Sequence, residues 1–139
     1  MTGDPENVKL LLAHGADPSA ALAQAVTFGY PDIVRALIAA GAPVKLTDSS
    51  GINLLHWAVI ANRPAVIPLL VEAGVSIDAK DEFDFTPLMY AATIDFGDTK
   101  SLEALLKAGA DPNIRNSDGR TPLEQARYYR HVNLETVLK

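Results

Sequence analysis

LLKAGADP at residues 105–112 is the fourth copy of one phrase: LLAHGADP stands at 11–18, LIAAGAPV at 37–44 and LVEAGVSI at 70–77. Its glycines, Gly15, Gly41, Gly74 and Gly109, lie 26, 33 and 35 residues apart. A period in this range marks stacked helical units rather than one closed globule. Ahead of the glycines, apolar residues recur at helical intervals, as in Val66, Ile67, Leu69 and Leu70, or Leu102, Leu105 and Leu106. Each phrase therefore reads as a helix that glycine terminates.

Outward from the phrase, residues 47–74, 80–109 and 115–139 each hold an Asp or Asn turn, a short helix opening, a second turn and a second helix. Thr86-Pro87 and Thr121-Pro122 place a hydroxyl at the cap of a helix and a proline at its first position, where the missing N–H is not needed. Thr121 and Glu124 have capping-box spacing, so each can satisfy the other's free amide. Pro68 reads as a breaker, but it lies close enough to Pro64 for the lost amide bond to cost little.

These residues resemble the ankyrin repeat. TPL at 86–88 and 121–123, the apolar pairs of the second helices, and GADP at 15–18 and 109–112 follow the family pattern DxxGxTPLHxAA, GHxxIVxLLL, GADVN. The resemblance covers nearly the whole chain and implies an all-α ankyrin-repeat solenoid, with helix-turn-helix units and short β-hairpin turns projecting between them. It divides residues 1–139 into a partial repeat 1 (1–18), a shortened repeat 2 (19–46), repeat 3 (47–79), repeat 4 (80–114) and a C-terminal capping repeat 5 (115–139). The second unit, short by about seven residues against the 33-residue repeat, is expected to carry only a stub of its hairpin. The extra residues of the fourth, Asp95 to Thr99, fall in its inter-helix turn. The start matches only the turn and second helix of a unit. Val8, Leu10, Leu11 and Leu12 would lie on both sides of such a half-unit, which predicts further sequence upstream. Asn133, Glu135, Thr136 and Lys139 give the last helix the polar outer face that a terminal unit needs.

At 139 residues with 48% hydrophobic content, the chain has the size and core of one domain. Its net charge of -5, from 12 Lys and Arg against 17 Asp and Glu, argues against nucleic acid, which needs clustered cations. The absence of cysteine excludes disulfides, thiolate metal sites and a thiol nucleophile, and leaves the redox compartment open. No apolar run approaches the ~18 residues of a membrane helix, and MTGDPENVK has no basic region followed by an apolar stretch. The expectation is a soluble monomer without membrane insertion, with the cytoplasm slightly favoured.

Catalytic constellations are missing. The repeat explains each histidine: in this family His56, at the TPLH place, bonds the hairpin backbone, His131 follows an inter-helix turn, and His14 precedes Gly15 near a helix end that favours a cation. None has HxxxH spacing or a third ligand, so no metal is expected. The carboxylates of DEFD at 81–84, with Asp95 and Asp98, lack the alternating order of a calcium loop and read as a solvated tip. Ser49-Ser50-Gly51 is not GxSxG, and the glycines form neither GxGxxG nor GxxxxGK. No cofactor is expected, and the chain reads as a non-enzyme.

The family implies recognition of another protein through the hairpin tips and the concave inner-helix face. Residues three and four apart share a face of a helix, which selects Gln24, Thr27 and Phe28, then Trp57, Ile60 and Ala61, then Tyr90, Thr93 and Ile94, then Gln125, Tyr128 and Tyr129. The tips add Ser49, Ser50 and Ile52, then Glu82, Phe83 and Phe85, then Ser117, Asp118 and Arg120. Phe83 and Phe85, two residues apart, would project from one side of an extended hairpin. Candidate partner-binding residues are thus Trp57, Ile60, Phe83, Phe85, Tyr90, Ile94, Arg120, Gln125, Tyr128 and Tyr129. Charge is graded from Asp81, Glu82, Asp84, Asp95 and Asp98 to Arg115, Arg120, Arg127 and Arg130, which would steer a partner with matching zones. The chain reads as an adaptor or an inhibitor that occludes an enzyme; a structural spacer packed against a neighbouring domain of its own chain is the alternative.

Overall fold

A computed structural model describes residues 5–139 and, of residues 5, 7 and 8, the backbone alone, so the side chain of Val8 lies outside it. The helices are α1 (Pro5–Ala13), α2 (Pro18–Phe28), α3 (Pro31–Ala39), α4 (Leu54–Ile60), α5 (Ile67–Glu72), α6 (Pro87–Thr93), α7 (Lys100–Lys107), α8 (Pro122–Tyr128) and α9 (Val132–Leu138). They stack in two rows: α2, α4, α6 and α8 follow one another on the inner row, and α1, α3, α5, α7 and α9 on the outer. Between the rows Leu22, Leu37, Leu55, Leu70, Leu88 and Leu105 are wholly buried and form one continuous core. No unit encloses its own apolar face, so each depends on its neighbours.

The repeated phrase ends the first four outer helices, α1, α3, α5 and α7, in the same way. At the last copy, Gly109 N–H donates to Leu106 O (3.1 Å) and Ala110 N–H to Leu105 O (3.0 Å), and the pattern recurs at Gly15, Gly41 and Gly74. This Schellman termination needs a left-handed residue after the helix. Gly109 supplies it with φ +98°.

Each later inner helix starts thirteen residues after such a glycine: Gly41 to Leu54, Gly74 to Pro87, Gly109 to Pro122. Asp48, Asp81 and Asn116 organise the intervening turns identically. The head residue's Oδ1 accepts the N–H groups two and four residues on, from Ser50 and Ile52, Phe83 and Phe85, or Asp118 and Arg120, at 2.9–3.0 Å. Among the described residues these turns form no β-strand, and one isolated antiparallel bridge joins Thr47 and Asn53. Neighbouring tips are tied together: Glu82 N–H donates to Ser50 O (2.8 Å), and Ser117 donates to Phe83 O through N–H (3.1 Å) and Oγ–H (3.0 Å). Gly51 sits inside this ladder. A Cβ there would lie 3.2 Å from both Asp81 Cα and Lys80 O, and φ is +82°. By contrast α2 begins three residues after Gly15, with Asp17 capping Ser19 N–H, and no such turn intervenes.

Caps explain the short inner helices. Thr121 accepts Glu124 N–H while Glu124 accepts Thr121 N–H, the box that the spacing predicts. Asn53 and His56 form a second box, with an imidazole in place of the carboxylate. Thr86 accepts Met89 N–H. Around Pro68 the chain makes a 3-10 turn, Pro64–Val66, before α5 starts, so the proline falls in the first turn of the α-helix proper. Between α6 and α7 lie six residues, 94–99, against three between α8 and α9.

Candidate protein-binding surface

Trp57, Tyr90 and Gln125 hold one position, the fourth after the caps Asn53, Thr86 and Thr121, on successive inner helices. Their surroundings differ. Trp57 is exposed at 41%. Tyr90 is half-buried: its hydroxyl donates to Asp81 Oδ2, its ring lies against Phe85 (centroids 5.0 Å) and edge-on to His56 (5.6 Å). Burial, and then the Asp81 carboxylate, push this phenol well above its ordinary value of 10. Gln125 is buried, with Oε1 accepting from Asn116 Nδ2 at 3.4 Å. Expected on the accessible stripe, Gln125 instead joins a turn to its own helix, as Tyr90 does.

The hairpin also corrects the reading of its two phenylalanines. Asp84 adopts φ +58°, so residues 83–85 are not extended and alternation does not apply. Phe83 is left exposed at 56%, whereas Phe85 turns back onto Tyr90. Nor is DEFD wholly solvated, because Asp81 is buried with three donors at its two oxygens.

His56 lies beneath this hairpin and is wholly buried. Nδ1 accepts Asn53 N–H (3.1 Å), so Nε2 carries the proton and donates to Phe85 O (2.8 Å). That is the hairpin bond the resemblance implies. Burial pushes the imidazole below its ordinary 6.5, against the opposing pull of the Phe85 carbonyl and the Asp81 and Asp48 carboxylates.

At the last unit Tyr128 (59% exposed) and Tyr129 (47%) meet edge-to-face at 5.0 Å, His131 stacks on Tyr129 at 5.9 Å, and the Arg120 guanidinium lies 3.7 Å from the Tyr128 ring centre. Mutual packing fixes these rings while leaving them accessible. His131 also bonds Ala92 O through Nδ1 (3.2 Å). Ile60, the last residue of α4, and Ile94, which follows α6, are half-buried. Phe28, at the end of α2, is exposed at 55% and extends the surface toward the first units.

The sequence reading gave no role to Asn62, which has φ +53°, accepts Ser101 Oγ–H (2.8 Å) and donates to Asp98 Oδ2 (3.3 Å). It clamps the lengthened turn of the next unit. The Lys100 N–H at its Oδ1 draws the Asp98 carboxyl below the usual range. An Asn just after a short helix, a residue type that tolerates the left-handed region, was the available signal. Among the described residues no three His, Asp or Glu side chains gather as a metal-holding group, and no helix is long and apolar enough to cross a membrane.

A profile of ankyrin repeats, three copies long, matches residues 1–81 and again 22–116. The chain belongs to the ankyrin-repeat family. A palmitoyltransferase of Drosophila melanogaster is 37% identical over 99 residues, which are 70% of this chain and 15% of that protein. An ankyrin repeat-containing protein of Treponema pallidum is 36% identical over 96 residues, 68% of this chain and 32% of the relative. Human SH3 and multiple ankyrin repeat domains protein 2 is 32% identical over 108 residues, 77% of this chain and 6% of the relative. The chain thus spans less than a third of each of these ankyrin-bearing relatives. Ankyrin repeats are generally protein-interaction modules and typically non-catalytic.

Proposed function

We propose that the chain is a non-catalytic module that grips another protein across its inner-helix face, with the hairpin tips as the rim of the contact. One observation carries this reading: Phe28, Trp57, Tyr128 and Tyr129, the exposed aromatics of the helical units, all belong to the inner row of helices or its caps, while the outer row presents polar groups and small residues around a few aliphatics. Large aromatics anchor interfaces because they bury much area at small rotamer cost. Trp57, Ile60, Ile94, Tyr128 and Tyr129 make up the face, Phe83 and Arg120 its rim, and Phe85, Tyr90 and Gln125 support it from beneath. A monomer that binds neither nucleic acid nor membrane fits the net charge of -5 and the short helices.

Affinity capture from source lysate with the wild type and the Trp57→Ala/Phe83→Ala/Tyr128→Ala variant tests the proposal. The variant, folded by circular dichroism, should lose the captured protein; equal capture would refute the face. A second reading, a spacer packed against a neighbouring domain, rests on Leu10 and Leu11, exposed at 60% and 59% on α1. Capture of no protein by the folded wild type would favour it.

A further inference from the structure

The charge gradient along the sequence does not survive as a gradient of free charge. Arg115 pairs with Glu124 (2.9 Å), Arg120 with Asp118 (3.7 Å) and Arg127 with Glu135 (3.0 Å), so three of the four late arginines are neutralised locally. Glu82 and Asp84 are exposed and make no ion pair among the described residues. They flank Phe83, and exposed Asp48 heads the adjoining tip; Lys80, at the base of the hairpin, is the cation nearest in sequence. Phe83 itself is held rigidly: its N–H donates to Asp81 Oδ1 and its carbonyl takes two donors from Ser117, yet more than half of its surface remains in water. A fixed backbone presenting an exposed aromatic is what an interface anchor requires, since little ordering entropy is lost on binding.

We infer that the second hairpin tip is an anchor for a basic partner segment, in which Lys or Arg side chains meet Glu82 and Asp84 while an apolar pocket or side chain receives Phe83. This rests on the reading of the chain as a protein-binding module and adds the chemistry of the partner. Acid on one side only makes association depend on salt, whereas the self-paired arginines contribute little field.

A phage-displayed random peptide library panned on immobilised wild-type protein is the test. Enriched peptides should carry Lys or Arg around a large apolar residue, weaken about tenfold or more on Phe83→Ser, weaken again on Glu82→Gln/Asp84→Asn, and lose affinity as salt rises. Peptides without basic enrichment, or peptides indifferent to Phe83→Ser but lost on Trp57→Ala/Tyr128→Ala, would overturn the inference and leave the proposed function standing. No enrichment on the wild type would overturn both. If sedimentation shows the wild type self-associating and Phe83→Ser monomeric, the tip is a contact between copies and the inference fails.

Discussion

The bond from Tyr90 to Asp81 offers the sharpest energetic test, because the same architecture occurs twice with different chemistry. In the second turn a carboxylate accepts from a phenol; in the third the amide of Asn116 donates to the buried amide of Gln125. Asp81→Asn should preserve the turn, as Asn116 does, since Oδ1 still accepts Phe83 and Phe85 N–H. What it loses is the charge at Oδ2. Tyr90→Phe instead leaves a buried carboxylate oxygen without its donor. A hydrogen bond to a charged group is worth about 1.5–3 kcal/mol, discounted here because Tyr90 is half-exposed and water can reach it. Each single change should therefore cost about 1–2 kcal/mol, with a coupling energy of about 1 kcal/mol in the double-mutant cycle. Asn116→Asp should cost under about 0.5 kcal/mol, since Gln125 can turn its amide to donate. Urea unfolding at constant slope measures all five chains. Strict additivity of Asp81→Asn and Tyr90→Phe, or a larger loss for Asn116→Asp than for Asp81→Asn, would refute the reasoning.

Further outcomes follow from backbone and burial. Gly109→Ala meets no neighbour and should cost about 1–2 kcal/mol for its left-handed φ alone, whereas Gly51→Ala, also crowded by Asp81 Cα and Lys80 O, should cost more; equal losses in thermal unfolding would deny that the tips are tied. Arg130, at φ +60°, should gain about 0.5–1 kcal/mol on Arg130→Gly. Asn62→Gly, at a similar φ, should lose stability because its bonds to Ser101 and Asp98 go with it. A gain at both sites would show that the clamp is idle. The lowered His56 means that the unfolded chain binds a proton first as pH falls below 6.5. His56 then contributes its full stability above 6.5 and loses it below, toward the lower folded value, at up to about 1.4 kcal/mol per pH unit. His56→Leu should be less stable at neutral pH but flatter between pH 7 and 5, and an unchanged slope would contradict this.

Periodicity made the solenoid, the glycine terminations and the Thr-Pro starts legible, because each follows from local backbone chemistry that one residue type serves best. The side-chain environment of the site was less so. Gln125 and Tyr90 occupy the same helical position as Trp57, but the amide and the phenol each bond the residue that heads the preceding turn, whereas Trp57, which follows the turn headed by Asp48, stays exposed. Phe85 was misplaced because alternation assumes an extended hairpin, and the left-handed Asp84 breaks it. Arginine pairing likewise needs three dimensions: Arg127 finds Glu135 across a turn, which no run of charges along the sequence displays.

Hydroxyl-radical footprinting of the complex with the captured partner tests the central claim most directly, because it reads side-chain accessibility residue by residue. Trp57, Phe83, Tyr128 and Tyr129 should fall several-fold in oxidation rate on binding, while Leu10 and Leu11 on α1 keep theirs. Protection of Leu10, Leu11 or the outer helices, with the four aromatics unchanged, would contradict the account.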